Sequence, residues 1–147
     1  MSRCAAIQMA SSPNISSNLI EAERLIADAS NAGAKLVALP ENFALMGQHE
    51  HDKIEQKEQD GSGPIQDFLA NTAKKYAVWI VAGTLPLADP NNENKVMAAC
   101  LIYNELGERV ARYDKIHLFN VHVPGSDEVY RESDSISKGN DPLVIDS

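Results

Sequence analysis

The apolar positions of the chain change period several times, and each change marks an element. Cys4 to Met9 reads as a first strand. Ser11-Ser12-Pro13-Asn14 is turn chemistry that ends in a helix N-cap. From there Ile15, Leu19, Ala22, Leu25, Ile26 and Ala29 recur at helical spacing, and Gly33 sits where a helix C-cap glycine belongs. Lys35 to Leu39 is a short apolar strand that Pro40 ends. Strand, helix and strand in this order predict a parallel pair with a right-handed crossover.

The unit then repeats. Gly47 to Gly61 is polar, carries charges of both signs and predicts a surface loop or short helix. Ser62-Gly63-Pro64 opens a second helix whose buried face is Ile65, Phe68, Leu69, Thr72, Ala73 and Tyr76. Val78 to Thr84 reads as a third strand, beside the first two in one sheet, with both helices on the same face. After the turn cluster Asp89 to Asn94, Val96 to Tyr103 and Glu108 to Tyr113 form a hairpin closed at Asn104 to Gly107. Beyond Pro124-Gly125-Ser126 the chain is polar to Asn140, and Leu143-Val144-Ile145 reads as a strand fragment. No linker or domain boundary interrupts the pattern.

Composition narrows the function classes. A chain of 147 residues, 44% apolar and 23% charged, is long enough for one domain with a real core. A formal charge of −8 argues against nucleic acid as a partner. No run is long and apolar enough to span a bilayer, and the N-terminus is too short and too alternating for a signal peptide, so a cytoplasmic protein is expected. Cys4 and Cys100 fall in strand-like runs and read as buried free thiols. A small nucleotide-binding domain is excluded by the loop Ala10 to Asn14, which has no glycine to let the backbone approach a pyrophosphate.

Two chargeable residues stand just past strands. Glu41 follows Leu36-Val37-Ala38-Leu39-Pro40, and Lys115 follows the returning hairpin strand. Ligand sites in open α/β sheets lie at the carboxyl ends of strands. A carboxylate there can be partly desolvated and suited to proton transfer, and an amine there can aim a fixed positive charge into a cleft. Taken alone, Glu41 reads better as a capping or solvated carboxylate, Lys115 as the much commoner snorkelling surface lysine, and Asp114 as a solvated or turn carboxylate. His49-Glu50-His51-Asp52 has metal-ligand residue types, but adjacent ligands in a charged loop make a poor preorganised site. His117 and His122 read as packing or supporting residues. No metal and no cofactor are expected.

Pro40-Glu41-Asn42 and the run Arg112-Tyr113-Asp114-Lys115-Ile116-His117-Leu118-Phe119, together with the order of elements, resemble the nitrilase (carbon–nitrogen hydrolase) superfamily. Within it the chain looks like the Nit-type branch of deaminated-glutathione amidases and omega-amidases, and only their N-terminal half. The resemblance implies an αββα sandwich, with residues 1–147 a partial domain truncated before the strand that carries the cysteine nucleophile. It implies that Glu41 is the general base, that Lys115 stabilises the oxyanion, and that Glu132 positions the site, with Glu128 a weaker match. Neither Cys4 nor Cys100 matches the nucleophile, because both precede Lys115. Where the branch usually has acids, this chain has Asn120 and His122. The implied function is hydrolysis of a small non-peptide amide, the chain being inactive alone. The alternative is a non-catalytic interaction protein or the complementing half of a split amidase. A homo-oligomer or a complementing C-terminal half is the expected partner.

Overall fold

The structure is a computed structural model and describes residues 3–49, 51–125 and 128–146. Strand β1 (Arg3–Ala6) pairs in parallel with β2 (Ala34–Ala38), and β2 in parallel with β3 (Trp79–Val81). Between them run helix α1 (Ile15–Asn31), the single turn α2 (Asp52–Glu55) and helix α3 (Pro64–Tyr76). α1 starts at Asn14, whose extended backbone lets its Oδ1 accept the Ser17 N–H at 2.9 Å. Gly33 follows its end in the left-handed region, φ +88°, and donates its N–H to the Ser30 carbonyl. α1 and α3 pack together on one face of the sheet. Ala22 and Ile26 from α1 and Ile65, Leu69 and Ala73 from α3 share a core with Val37, Ile80 and Leu101. The expected neighbours and the expected helix face are thus met.

Helix α3 begins without a capping side chain of its own, at Gly63. Glu58 does that work from the loop before it. Its buried carboxylate accepts the Ile65 N–H at 2.5 Å, the Gln66 N–H at 3.2 Å and the Gln66 Nε2–H at 3.0 Å. Negative charge on the first free N–H groups of a helix is favourable. The Glu58 backbone also bonds to Pro86 and Ala88. The charged segment that looked unanchored is therefore held by its own acid.

The strand read from Val78 to Thr84 is shorter than its apolar run. Gly83 adopts φ +51°, the chain turns there, and β4 (Leu85–Asp89) begins. β4 forms a hairpin with β5 (Asn92–Tyr103), which pairs in turn with β6 (Arg109–Asp114). A two-stranded ribbon follows, β7 (Asn120–His122) with β8 (Val129–Arg131), then one 3-10 turn and β9 (Ile136–Ser137). β9 lies parallel to β5 at Val96 and Met97. The polar pattern gave no sign of β9. Leu143 to Ile145 form no strand and are exposed, because nothing in the described chain pairs with them.

The second face of the sheet is only partly covered. Cys4, Leu36 and Trp79 stand in register on it; Leu36 and Trp79 are half-buried and Cys4 is exposed. The expectation of two buried thiols fails at Cys4 for that reason: β1 is an edge strand, and this residue points away from the helices. Cys100 is half-buried, and burial pushes its thiol up, a backbone contact with Ala82 offsetting part of the effect. Thiol titration near pH 8 should therefore show one fast and one slow group. Cys4 is expected to react at least about tenfold faster than Cys100, and Cys4→Ser should remove the fast phase.

Candidate active site

β2, β3 and β6 all run in one direction, so their carboxyl ends meet at one edge of the sheet. Glu41 leaves the first, Gly83 the second and Lys115 the third. The segment after Glu41 is stiff. Phe43, Ala44 and Leu45 are buried, the Asn18 amide donates to the Ala44 carbonyl at 2.8 Å, and the Ser11 hydroxyl donates to the Phe43 carbonyl at 3.1 Å. Asn42 takes φ +56°, a conformation asparagine tolerates better than most residues. Its N–H donates to Thr84 Oγ1 at 3.0 Å. Gly83 is required where it is: a Cβ there would lie 1.9 Å from the Pro40 carbonyl oxygen.

Lys115 is fixed by its backbone. Its N–H donates to Ala98 and its carbonyl accepts from Gly139, at 3.0 and 2.9 Å. Gly139 makes room for this, since a Cβ would fall 2.2 Å from the Asp114 carbonyl oxygen. The Lys115 ammonium then bridges two acids. It lies 2.7 Å from Glu41 Oε1 and 2.9 and 3.0 Å from the two Glu132 oxygens. Glu132 Oε2 also accepts the Phe119 N–H at 2.7 Å. The structure brings all three sequence-derived residues together. Their side chains differ in exposure: 51% for Glu41, 21% for Lys115 and 15% for Glu132. The desolvation expected of Glu41 is thus found at Glu132 instead, because Glu41 sits on the outer lip of the cleft.

The charges support one another. Burial opposes the Lys115 ammonium, but hydrogen bonds and charge from Glu132 and Glu41 outweigh it and hold its pKa above the usual lysine value. Burial likewise opposes the Glu132 carboxylate. Lys115, the Phe119 N–H and the more distant Lys53 reverse that and hold it below its ordinary value of 4.5. The result is a protonated amine flanked by carboxylates. It can neutralise an oxyanion while a neighbouring carboxylate moves protons.

The model of the carbon–nitrogen hydrolase family matches residues 3–147. The chain belongs to that family. Similar proteins include a deaminated glutathione amidase of Synechocystis sp., 40% identical over 135 residues, covering 92% of this chain and 48% of that protein. An omega-amidase of Xenopus laevis is 31% identical over 146 residues, covering 99% and 50%. The crystal structure of the C. elegans NitFhit protein superposes with a TM-score of 0.83 at 26% identity, over 95% of this chain and 34% of that one. The fold is thus of the nitrilase-superfamily type. The chain spans about half the length of the curated relatives it matches.

Other residues of this carbon–nitrogen hydrolase chain fall as follows. Asp114 is not a solvated turn residue: it ends β6 half-buried and accepts from Arg112 Nε at 3.0 Å. Asn120 Oδ1 accepts the Ser133 N–H at 3.1 Å, an acceptor role an aspartate could also fill. His117 and His122 are exposed and do not pack. His49 and His51 are exposed, and Glu50 lies outside the described residues. Among the described residues no three His, Cys, Asp or Glu side chains are grouped to hold a metal. Among the described residues no helix is long and apolar enough to cross a membrane. Glu128 is exposed at the start of the ribbon, its carbonyl accepting the Val123 N–H at 3.0 Å. The pattern placed Gly83 and Thr84 inside the third strand and Gly139 in a turn, and gave none of them a part in the site; a glycine two residues past the ends of β3 and β9 was the one available signal.

Two outcomes follow. Gly83→Ala is expected to destabilise the fold by more than about 2 kcal/mol in urea unfolding, whereas Gly61→Ala, with open space around it, should cost about 1 kcal/mol. The Lys115–Glu132 coupling should depend on pH with a definite sign. The depressed Glu132 pKa contributes stability above 4.5 that is lost as pH falls through its folded value. The raised Lys115 pKa contributes stability below 10.5 that is lost as pH rises through its folded value. A double-mutant cycle of Lys115→Met and Glu132→Gln should give a coupling of about 1–3 kcal/mol at pH 7, since the pair lies between exposed and buried. The same cycle at pH 3 should give a much smaller one.

Proposed function

We propose that this chain carries the glutamate–lysine–glutamate part of an amide-hydrolysing site for small non-peptide amides, of the omega-amide or deaminated-glutathione kind. The observation that supports this is the Lys115 ammonium, just past β6, held between Glu41, which follows β2 of the same sheet, and Glu132 of the 3-10 turn. Glu41 takes the proton of a cysteine thiol, and the thiolate attacks the amide carbon. The oxyanion forms beside Lys115. Its collapse breaks the carbon–nitrogen bond, and Glu41 returns the proton so that ammonia leaves. Water, deprotonated by Glu41, then attacks the thioester and releases the acid and the thiol.

The nucleophile comes from outside these residues, because Cys4 and Cys100 both precede Lys115 and neither contacts the cluster among the described interactions. Residues 1–147 then act as a partial domain whose thiol comes from a complementing C-terminal half, whether or not the chain also forms a homo-oligomer. Both cysteines are free thiols, which fits a reducing, cytoplasmic setting. The half-buried Leu36 and Trp79 favour a second reading, a non-catalytic interaction protein that covers the same sheet face with a partner.

Ammonia release from succinamate and deaminated glutathione separates the two. The purified chain alone should release none. Adding the C-terminal half of a related amidase, with its cysteine, should restore turnover. Glu41→Gln or Lys115→Ala should then lower that turnover by at least about 10²-fold. Turnover that survives both substitutions would remove the assignment, and a complex that forms without turnover would favour the interaction protein.

A further inference from the structure

Asn18 breaks the pattern of the stripe it belongs to. It is buried on α1 in line with Ala22 and Ile26, where an aliphatic residue would suit the core. A buried amide costs free energy unless its polar atoms are paired. Here they are. Its Oδ1 accepts the Ser12 N–H at 2.9 Å and the Ser12 hydroxyl at 3.1 Å. Its Nδ2 donates to the Ser12 carbonyl at 2.7 Å and to the Ala44 carbonyl at 2.8 Å. One side chain therefore joins three segments: helix α1, the chain between β1 and α1, and the loop that follows Glu41. The Ser12 carbonyl also accepts the Met46 N–H at 3.1 Å, which ties the last two a second time.

Glu41 has little of its own to fix it. Its side chain is half exposed, and the partner it meets among the described residues is Lys115. Where the carboxylate stands is thus set by the backbone of its loop. That loop is two consecutive turns, the Phe43 N–H donating to the Pro40 carbonyl and the Leu45 N–H to the Asn42 carbonyl, each at 3.2 Å. Thr84 pins the near end at the Asn42 N–H, and Asn18 pins the far end at the Ala44 carbonyl. A pair of turns held at both ends cannot roll and carry Glu41 away from the ammonium. We infer that Asn18 is a positioning residue for Glu41: through the Ala44 carbonyl it keeps the Glu41 carboxylate on Lys115 and in line with the thiol it serves. This rests on the amidase reading of the Glu41–Lys115–Glu132 cluster and adds to it a residue on a helix outside the cluster. Misplacing a reacting group by about 1 Å can cost about 10²-fold in rate, so one lost tether is enough to matter.

The test reads the Glu41–Lys115 contact directly, through the Cε–Hε NMR signal of Lys115 in isotope-labelled chain. Glu41→Gln should shift that signal in the unsubstituted chain. In an Asn18→Leu background the same change should shift it by less than about half as much, because the contact is already loosened. Asn18→Asp keeps an acceptor for Ser12 but cannot donate to Ala44, and should behave like Asn18→Leu. Ile26→Val, which loosens the same stripe without touching the loop, should leave the Glu41→Gln shift whole. Spectral dispersion shows whether each variant is folded, and Asn18→Ser replaces a Leu variant that is not. Once complemented by the C-terminal half of a related amidase, Asn18→Leu should lower kcat at least about tenfold with KM within about twofold, and Ile26→Val should change neither. A full Glu41→Gln shift in Asn18→Leu, no such shift in the unsubstituted chain, or an unchanged kcat overturns the role of Asn18 while leaving the amidase reading intact. If the complemented, unsubstituted chain has no turnover, the amidase reading falls and this inference with it.

Discussion

One strand has to satisfy four neighbours, and the geometry of the site follows from how it does so. β5 carries β3 and β4 along one edge and β6 and β9 along the other. Ala99 is the crossing point, paired with Leu85 on one side and Asp114 on the other. The residues next to those two partners, Thr84 and Lys115, are therefore delivered to one neighbourhood by backbone hydrogen bonding alone. Thr84 holds the loop after β2, and that loop carries Glu41. A one-residue slip of β6 against β5 would turn Lys115 to the opposite face of the sheet, and one of β4 against β5 would do the same to Thr84.

The three charges are balanced but not equivalent. Glu132 is nearly enclosed, and its oxygens are used up by Lys115 and a backbone N–H. A carboxylate so committed is a fixed counter-ion and exchanges protons reluctantly. Glu41 shares a single close contact with the ammonium and leaves half its surface to the cleft. Of the two acids it is the one with a lone pair free to meet a thiol, an amine or a water. Lys115 gains from both, which keeps it positively charged.

The sheet has two faces with different fates. Toward the helices it is sealed by Val37, Ile80 and Leu101. Away from them Leu36 and Trp79 are covered only in part, and Cys4 is open to solvent. Strands buried on both faces read as continuous apolar runs, and Leu36 to Leu39 and Val78 to Ala82 read that way. Their composition suits a layer on each side, which accords with relatives about twice the length of this chain.

Local pattern was enough for most of the first 80 residues. Helical spacing, the Asn14 cap, the Gly33 stop and the Pro64 start each act within a few residues, so a linear reading captures them. The positions of Glu41 and Lys115 just past strand ends were legible for the same reason. Tertiary structure decided what depends on contacts distant in sequence. Gly83 looked like the continuation of a strand until the Pro40 carbonyl crossed it. β9 is the pair Ile136–Ser137 in an otherwise polar stretch, a strand only because β5 offers an open edge. Cys4 has the neighbours of a buried residue along the chain but not in space. The sequence by itself determined the two long helices, the first three strands and the β5–β6 hairpin, and which residues could carry charge into a cleft. Only the folded chain decided that Glu41, Lys115 and Glu132 meet, because one ammonium can neutralise two acids only when elements far apart in sequence bring all three within hydrogen-bond reach.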